Sequence, residues 1–152
     1  LNPIRNFRYY EGDFDYNWRP IFGLRINPGL EVIRRIDMYQ DYYSYLGLRG
    51  SMRIRYFKDN FYISLYGYYK RVAYDVRPAF TSLTDDPFLV YGYYKLKFTL
   101  RYSLSEQWDI YLLLESNNRS SNTDLEYFRT RRPYNNHQAM IGFTYSLPDI
   151  KF

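Results

Sequence analysis

Along most of this chain apolar and polar side chains alternate one for one. From Val90 to Ser103, one series reads Val90, Gly92, Tyr94, Leu96, Phe98, Leu100 and Tyr102. The other reads Tyr91, Tyr93, Lys95, Lys97, Thr99, Arg101 and Ser103. Successive side chains of a strand point to opposite sides, so this segment has one flank fit for hydrocarbon and one for water. On a helix, Lys95, Lys97 and Arg101 would be spread around the cylinder. The same period predicts strands over Leu46–Phe57, Phe61–Lys70, Asp109–Glu115 and Met140–Leu147. Phe14–Ile26 fits as well, with Pro20 marking a bulge or a strand edge. Leu30–Met38 is weaker, because Arg34 falls on its apolar side.

The connections predicted between these strands alternate in length. Short turns are expected at Asn27-Pro28-Gly29, Lys58-Asp59-Asn60 and Ser105-Glu106-Gln107, and longer polar links at about Asp37–Tyr42, Arg77–Pro87 and Asn117–Asn136. Tight turns at one end and extended loops at the other are the pattern of a transmembrane β-barrel. Counting back from the last strand gives seven clear strands, and Ile4–Tyr10, poorly alternating, would make an even eight. The expected fold is an all-β, antiparallel up-and-down transmembrane barrel, with residues 1–152 forming one domain or the C-terminal segment of a wider barrel.

Composition sharpens this picture. Aromatic residues make up 22% of the chain and include 21 Tyr, while 24% of residues are charged. Mean hydropathy is only −0.58. Tyr and Trp suit places where one end is apolar and the other wet. Tyr43, Tyr45, Tyr68, Tyr69, Tyr91, Tyr93 and Tyr94 are expected near the long-link ends of their strands. Tyr56, Phe61, Tyr62, Tyr102, Trp108 and Tyr145 are expected near the short-turn ends, giving two belts. No apolar run of about 18 residues exists, so a transmembrane helix is excluded; a transmembrane strand needs only about 9–11 residues. The chain has no cysteine, which removes disulfides and thiolate metal sites. Beginning at Leu1, it reads as a processed protein or as a piece of a longer one.

The closing segment adds a resemblance. His137-Gln138-Ala139-Met140-Ile141-Gly142-Phe143-Thr144-Tyr145-Ser146-Leu147 resembles the terminal β-signal of bacterial outer-membrane proteins, a Gly followed by alternating aromatic or apolar residues. Gly142, Phe143, Tyr145 and Leu147 match it; Pro148-Asp149-Ile150-Lys151-Phe152 extend past the strand end where that family stops. Glu115-Ser116-Asn117-Asn118-Arg119-Ser120-Ser121-Asn122-Thr123 through Tyr127-Phe128-Arg129 is similar to the last outer loop of large proteobacterial barrels, exopolysaccharide-export barrels and barrels fused behind helical repeats among them. The resemblance covers roughly the last quarter of the chain. It implies an integral protein of the bacterial outer membrane with a periplasmic C-terminus. Its implied partners are the lipid bilayer, lipopolysaccharide and the outer-membrane assembly machinery.

The alternation then divides the residues by solvent. Leu48, Met52, Ile54, Ile63, Leu65, Leu96, Phe98, Leu100, Leu112 and Phe143 are expected against lipid. Arg25, Arg49, Arg53, Arg55, Tyr66, Lys95, Lys97, Arg101, Asp109 and Glu115 are expected in the lumen. A closed eight-stranded barrel would pair these charges into a plug and act through its loops as a structural or adhesive protein. A wider barrel would line a channel with them, and rings and guanidinium groups suit an acidic glycan. The formal charge of +5 fits acidic glycans, lipid A phosphates or ordinary loop charges. The interleaved basic and aromatic residues also match a single-stranded nucleic acid binder, but a bilayer explains the same residues together with their positions, so no nucleic-acid partner is expected.

Catalysis has little to stand on. His137 is the only histidine, and a lipid A-modifying hydrolase would have to join it to Ser116 or Ser120 and Glu115. No metal or cofactor is expected. The sequence therefore reads as a non-enzymatic pore or anchor for envelope export or surface assembly, alone or with other envelope proteins.

Overall fold

The computed structural model describes residues 6–39, 41–79, 88–122 and 133–146. These build one antiparallel sheet of seven strands in the order of the chain, an up-and-down meander. The strands are β1 (Phe7–Asp15), β2 (Leu24–Asp37), β3 (Tyr45–Lys58), β4 (Phe61–Pro78), β5 (Phe88–Ser103), β6 (Trp108–Ser121) and β7 (Tyr134–Tyr145). The sheet is not closed: β1 pairs only with β2, and β7 only with β6.

The N-terminal third differs from the pattern-based expectation. Asn27-Pro28-Gly29 is not a turn but lies within β2, with Pro28 opposite Met52 of β3. The main chain there stays satisfied without a proline N–H. Tyr16 N–H donates to the Pro28 carbonyl at 3.0 Å, and the Asn27 side-chain amide donates to the Tyr16 carbonyl at 3.4 Å. Asn27 thus supplies the donor that Pro28 lacks. The real reversal lies at residues 16–23, where the expected Phe14–Ile26 strand breaks. Only a single bridge, Trp18 to Ile26, spans it. Gly23 closes it at φ 81°, its carbonyl accepting from the Phe57 N–H at 2.9 Å. A side chain at Gly23 would run into the Phe57 carbonyl, so this corner requires glycine. The strand expected over Phe14–Ile26 is divided between the end of β1 and the start of β2, and the count is seven instead of eight; Ile4 and Arg5 lie outside the described residues.

Two other reversals agree with the reading. Asp59, at φ 48°, and Asn60 join β3 to β4. Residues 104–107 join β5 to β6, where the Ser105 hydroxyl accepts from the N–H groups of Gln107 and Trp108. At the opposite end the links span 38–44, 79–87 and 122–133, so several strands outrun their apolar alternation. β4 runs on to Pro78, past Lys70. β6 continues through Ser116–Ser121, read above as loop, because β5 supplies a pairing edge from Leu96 up to Tyr91. Both faces of that stretch are polar, and its ladders to β5 and β7 keep it extended.

Candidate functional site

Register partners in antiparallel strands project to the same side, so the pairings sort every side chain onto one of two faces. One face takes Leu48, Met52, Ile54, Ile63, Leu65, Leu96, Phe98, Leu100, Leu112 and Phe143. The other takes Arg25, Arg49, Arg53, Arg55, Tyr66, Lys95, Lys97, Arg101, Asp109 and Glu115.

Exposure is inverted between them. On interior strands of the apolar face, Leu48 is 47% and Leu96 54% exposed, whereas Glu31 and Asp109 on the polar face are 8% and 7% exposed. A sheet in water covers its apolar side and wets its polar side. Among the described residues no other element packs on the apolar face, while long polar side chains cover one another on the opposite face.

Aromatic rings frame the apolar face at both ends. Tyr69 and Tyr94 stand 4.7 Å apart, centroid to centroid, toward the long links. Phe61 with Tyr102 (5.9 Å) and Trp108 with Tyr145 (4.8 Å) stand at the short turns. At about 3.3 Å per residue, the eight steps from Tyr94 to Tyr102 cover roughly 26 Å along the strand. Polar residues join this face near the upper rings: Arg71 one pair beyond Tyr69, Asn118 opposite Tyr94, and Ser116 with His137 level with Leu96. Arg34 lies there too, and its clash with the apolar pattern is met by a forked pair to Asp75 of β4 at 2.8 and 2.5 Å, across the intervening β3.

The expected aromatic belts are thinner than the sequence suggested. Tyr45, Tyr68, Tyr91 and Tyr93, and Tyr62 at the other end, share the polar face. There Tyr91 packs with Val72 and Leu89 into a small buried cluster, with Tyr45, Tyr74 and Tyr93 against it. Period two assigns a side, but it cannot tell an interfacial ring from one stacked over a charged wall. Arginines lie over these inner rings: Arg35 over Phe7 at 3.7 Å, and Arg53 over Tyr66 at 4.7 Å.

Three carboxylates of the polar face, Glu31, Glu115 and Asp109, sit in cross-strand ion pairs. Glu31 of β2 meets Arg49 of β3 at 2.6 Å and Lys70 of β4 at 3.5 Å. Glu115 of β6 meets Lys95 at 2.8 Å and Lys97 at 4.0 Å, both of β5, and accepts from the Asn117 amide at 2.7 Å. Asp109 accepts from Arg101 and from the Ser103 hydroxyl. Lys70 and Ser103 were absent from the expected lumen set, though both fall on its alternation. Arg35 was missed because its segment alternates weakly in sequence.

The hydrolase arrangement fails on geometry. Ser116 and His137 are register partners on the apolar face, but Glu115 points to the other side and is held there by Lys95 and Asn117. Among the described residues, no group of three or more His, Cys, Asp or Glu side chains is placed to hold a metal ion.

In the closing strand, Gly142 lies opposite Tyr111, whose ring occupies the space a side chain at 142 would need. Phe143 and Tyr145 share the apolar face, and Leu147 lies outside the described residues. No protein-family model matches the chain, and neither a curated protein nor a solved structure matches it.

Proposed function

We propose that this chain forms the wall of an integral β-barrel of the bacterial outer membrane, a non-enzymatic pore or anchor in envelope export or surface assembly. The observation that carries the reading is the inversion of exposure: Leu48 and Leu96 stand uncovered while Glu31 and Asp109 are enclosed. A lipid bilayer supplies the missing cover, and the framing rings suit its two interfaces. The resemblance of Gly142, Phe143 and Tyr145 to the terminal signal of outer-membrane proteins supports the same reading and names the assembly machinery as a partner. The unpaired-strand edges belong with a wall that further strands complete.

A second reading, an anchor with a plugged interior, is favoured by the ion pairs around Glu31, Glu115 and Asp109, which neutralise much of the polar face. Two measurements decide between these readings. The purified chain is expected to need detergent or lipid to stay monodisperse and to resist heat-denaturing electrophoresis when folded; free solubility in buffer overturns the membrane reading. Stepwise conductance of the intact protein in a planar bilayer supports the pore, and a folded but silent protein supports the plugged anchor.

A further inference from the structure

We infer that the polar face carries an oxyanion-binding site at its short-turn end, centred on Arg25, Arg53 and Arg55. The inference deepens the reading above, because it takes this face to be wet. Its ligand class is a molecule bearing closely spaced anionic groups, carboxylates or phosphates.

Arg25 of β2 and Arg55 of β3 are direct register partners, so two guanidinium groups project side by side from neighbouring strands. Like charges directly opposite each other weaken strand pairing. Elsewhere on this face the cations Arg49, Lys70, Lys95 and Arg101 each meet a carboxylate. Arg25, Arg53 and Arg55 meet none within 4.0 Å among the described residues. Neutral groups hold them instead. Arg25 lies over the Phe57 ring at 5.6 Å, Arg53 over Tyr66 at 4.7 Å, and Arg55 donates to the Asn27 amide oxygen at 2.8 Å. The Arg55 Nε is buried with no acceptor.

Rings and an amide orient the three groups without neutralising them, which leaves their charge for an external anion. A cavity of about 630 Å³ opens beside Arg25, with Arg19 and Lys58 adding positive charge to its lining and Asp59 one carboxylate. Guanidinium forks match carboxylate and phosphate oxygens two at a time, and adjacent forks favour a ligand with more than one such group. An anion beside Arg25 offsets the repulsion between Arg25 and Arg55.

Titration calorimetry of the purified chain tests the site, in neutral detergent if the chain partitions there and in buffer if it does not. The partition result bears on the membrane reading and the titration on the site alone. Pyrophosphate and trigalacturonate are the two probes, and the tighter one identifies the source of the anionic groups. Saturable binding of at least one is expected. Arg25→Gln and Arg55→Gln should each weaken it roughly tenfold, about the loss of one charge-assisted hydrogen bond. Both variants should keep or raise the unfolding midpoint measured without anion, since each relieves a like-charge pair. Lys97→Gln, on the same face but beside Glu115, should leave binding unchanged. Absence of saturable binding by either probe, or equal binding by wild type and both arginine variants, overturns the inference.

Discussion

Glu31 shows how a single residue fixes the polar face. Its carboxylate is almost covered, and it joins three strands by meeting Arg49 on β3 and Lys70 on β4. Removing it leaves two cations facing each other across a strand pair. Those cations keep partial access to water, with side chains 37% and 25% exposed. The penalty should therefore fall below the 3–5 kcal/mol of a fully buried broken pair. Glu31→Ala is expected to destabilise the folded chain by about 1–3 kcal/mol in urea titrations. Glu31→Gln should do less harm, because its amide oxygen still accepts a hydrogen bond. Equal loss in the two variants would assign the whole role of Glu31 to its charge, and an unaffected Glu31→Gln would assign it to packing and hydrogen bonding.

At the scale of the element, β2 is the strand where local and non-local chemistry disagree. Asn-Pro-Gly signals a turn when read alone. Pairing to β3 on one side and the Asn27 amide on the other keep it extended. An insertion separates the two possibilities. One residue inserted after Pro28 should push Leu30 and Val32 to the polar face and Glu31 to the apolar one, abolishing folding, since a one-residue slip flips every later side chain of the strand. The same insertion after Ile21, in the 16–23 connection, should be tolerated. Recovery of heat-resistant folded protein on gels reads both. The contrast also explains what sequence alone carries. Which flank each side chain of β3, β4 and β5 occupies follows from parity within a strand, so Arg53 and Leu96 could be sided without knowing their neighbours. The partners of Glu31 or Asp75 depend on register between strands, which alternation within a single strand does not fix. The upper half of β6 was hidden for a related reason. Ser116–Ser121 is polar on both sides, and only the adjacent β5 reveals it as strand.

The whole sheet has a parity that constrains how it can be completed. With seven strands in an up-and-down meander, β1 and β7 run in the same direction, so joining them would make a parallel seam in an otherwise antiparallel wall. A second copy inserted in the same orientation meets the same obstacle, because its β1 would again run parallel to β7. An odd number of further antiparallel strands, from outside these residues, restores alternation around the ring. Hydrogen exchange of the isolated chain in detergent can read this directly. Amides of β4 and β5, paired on both sides, should exchange slowest. On β1 and β7, amides pointing away from β2 and β6 have no ladder partner and should exchange within the shortest labelling time, alternating with protected neighbours along each edge strand. Uniform protection along β1 and β7, as strong as that of β4, would mean that the sheet closes on itself through a parallel seam, and the requirement for outside strands would be withdrawn.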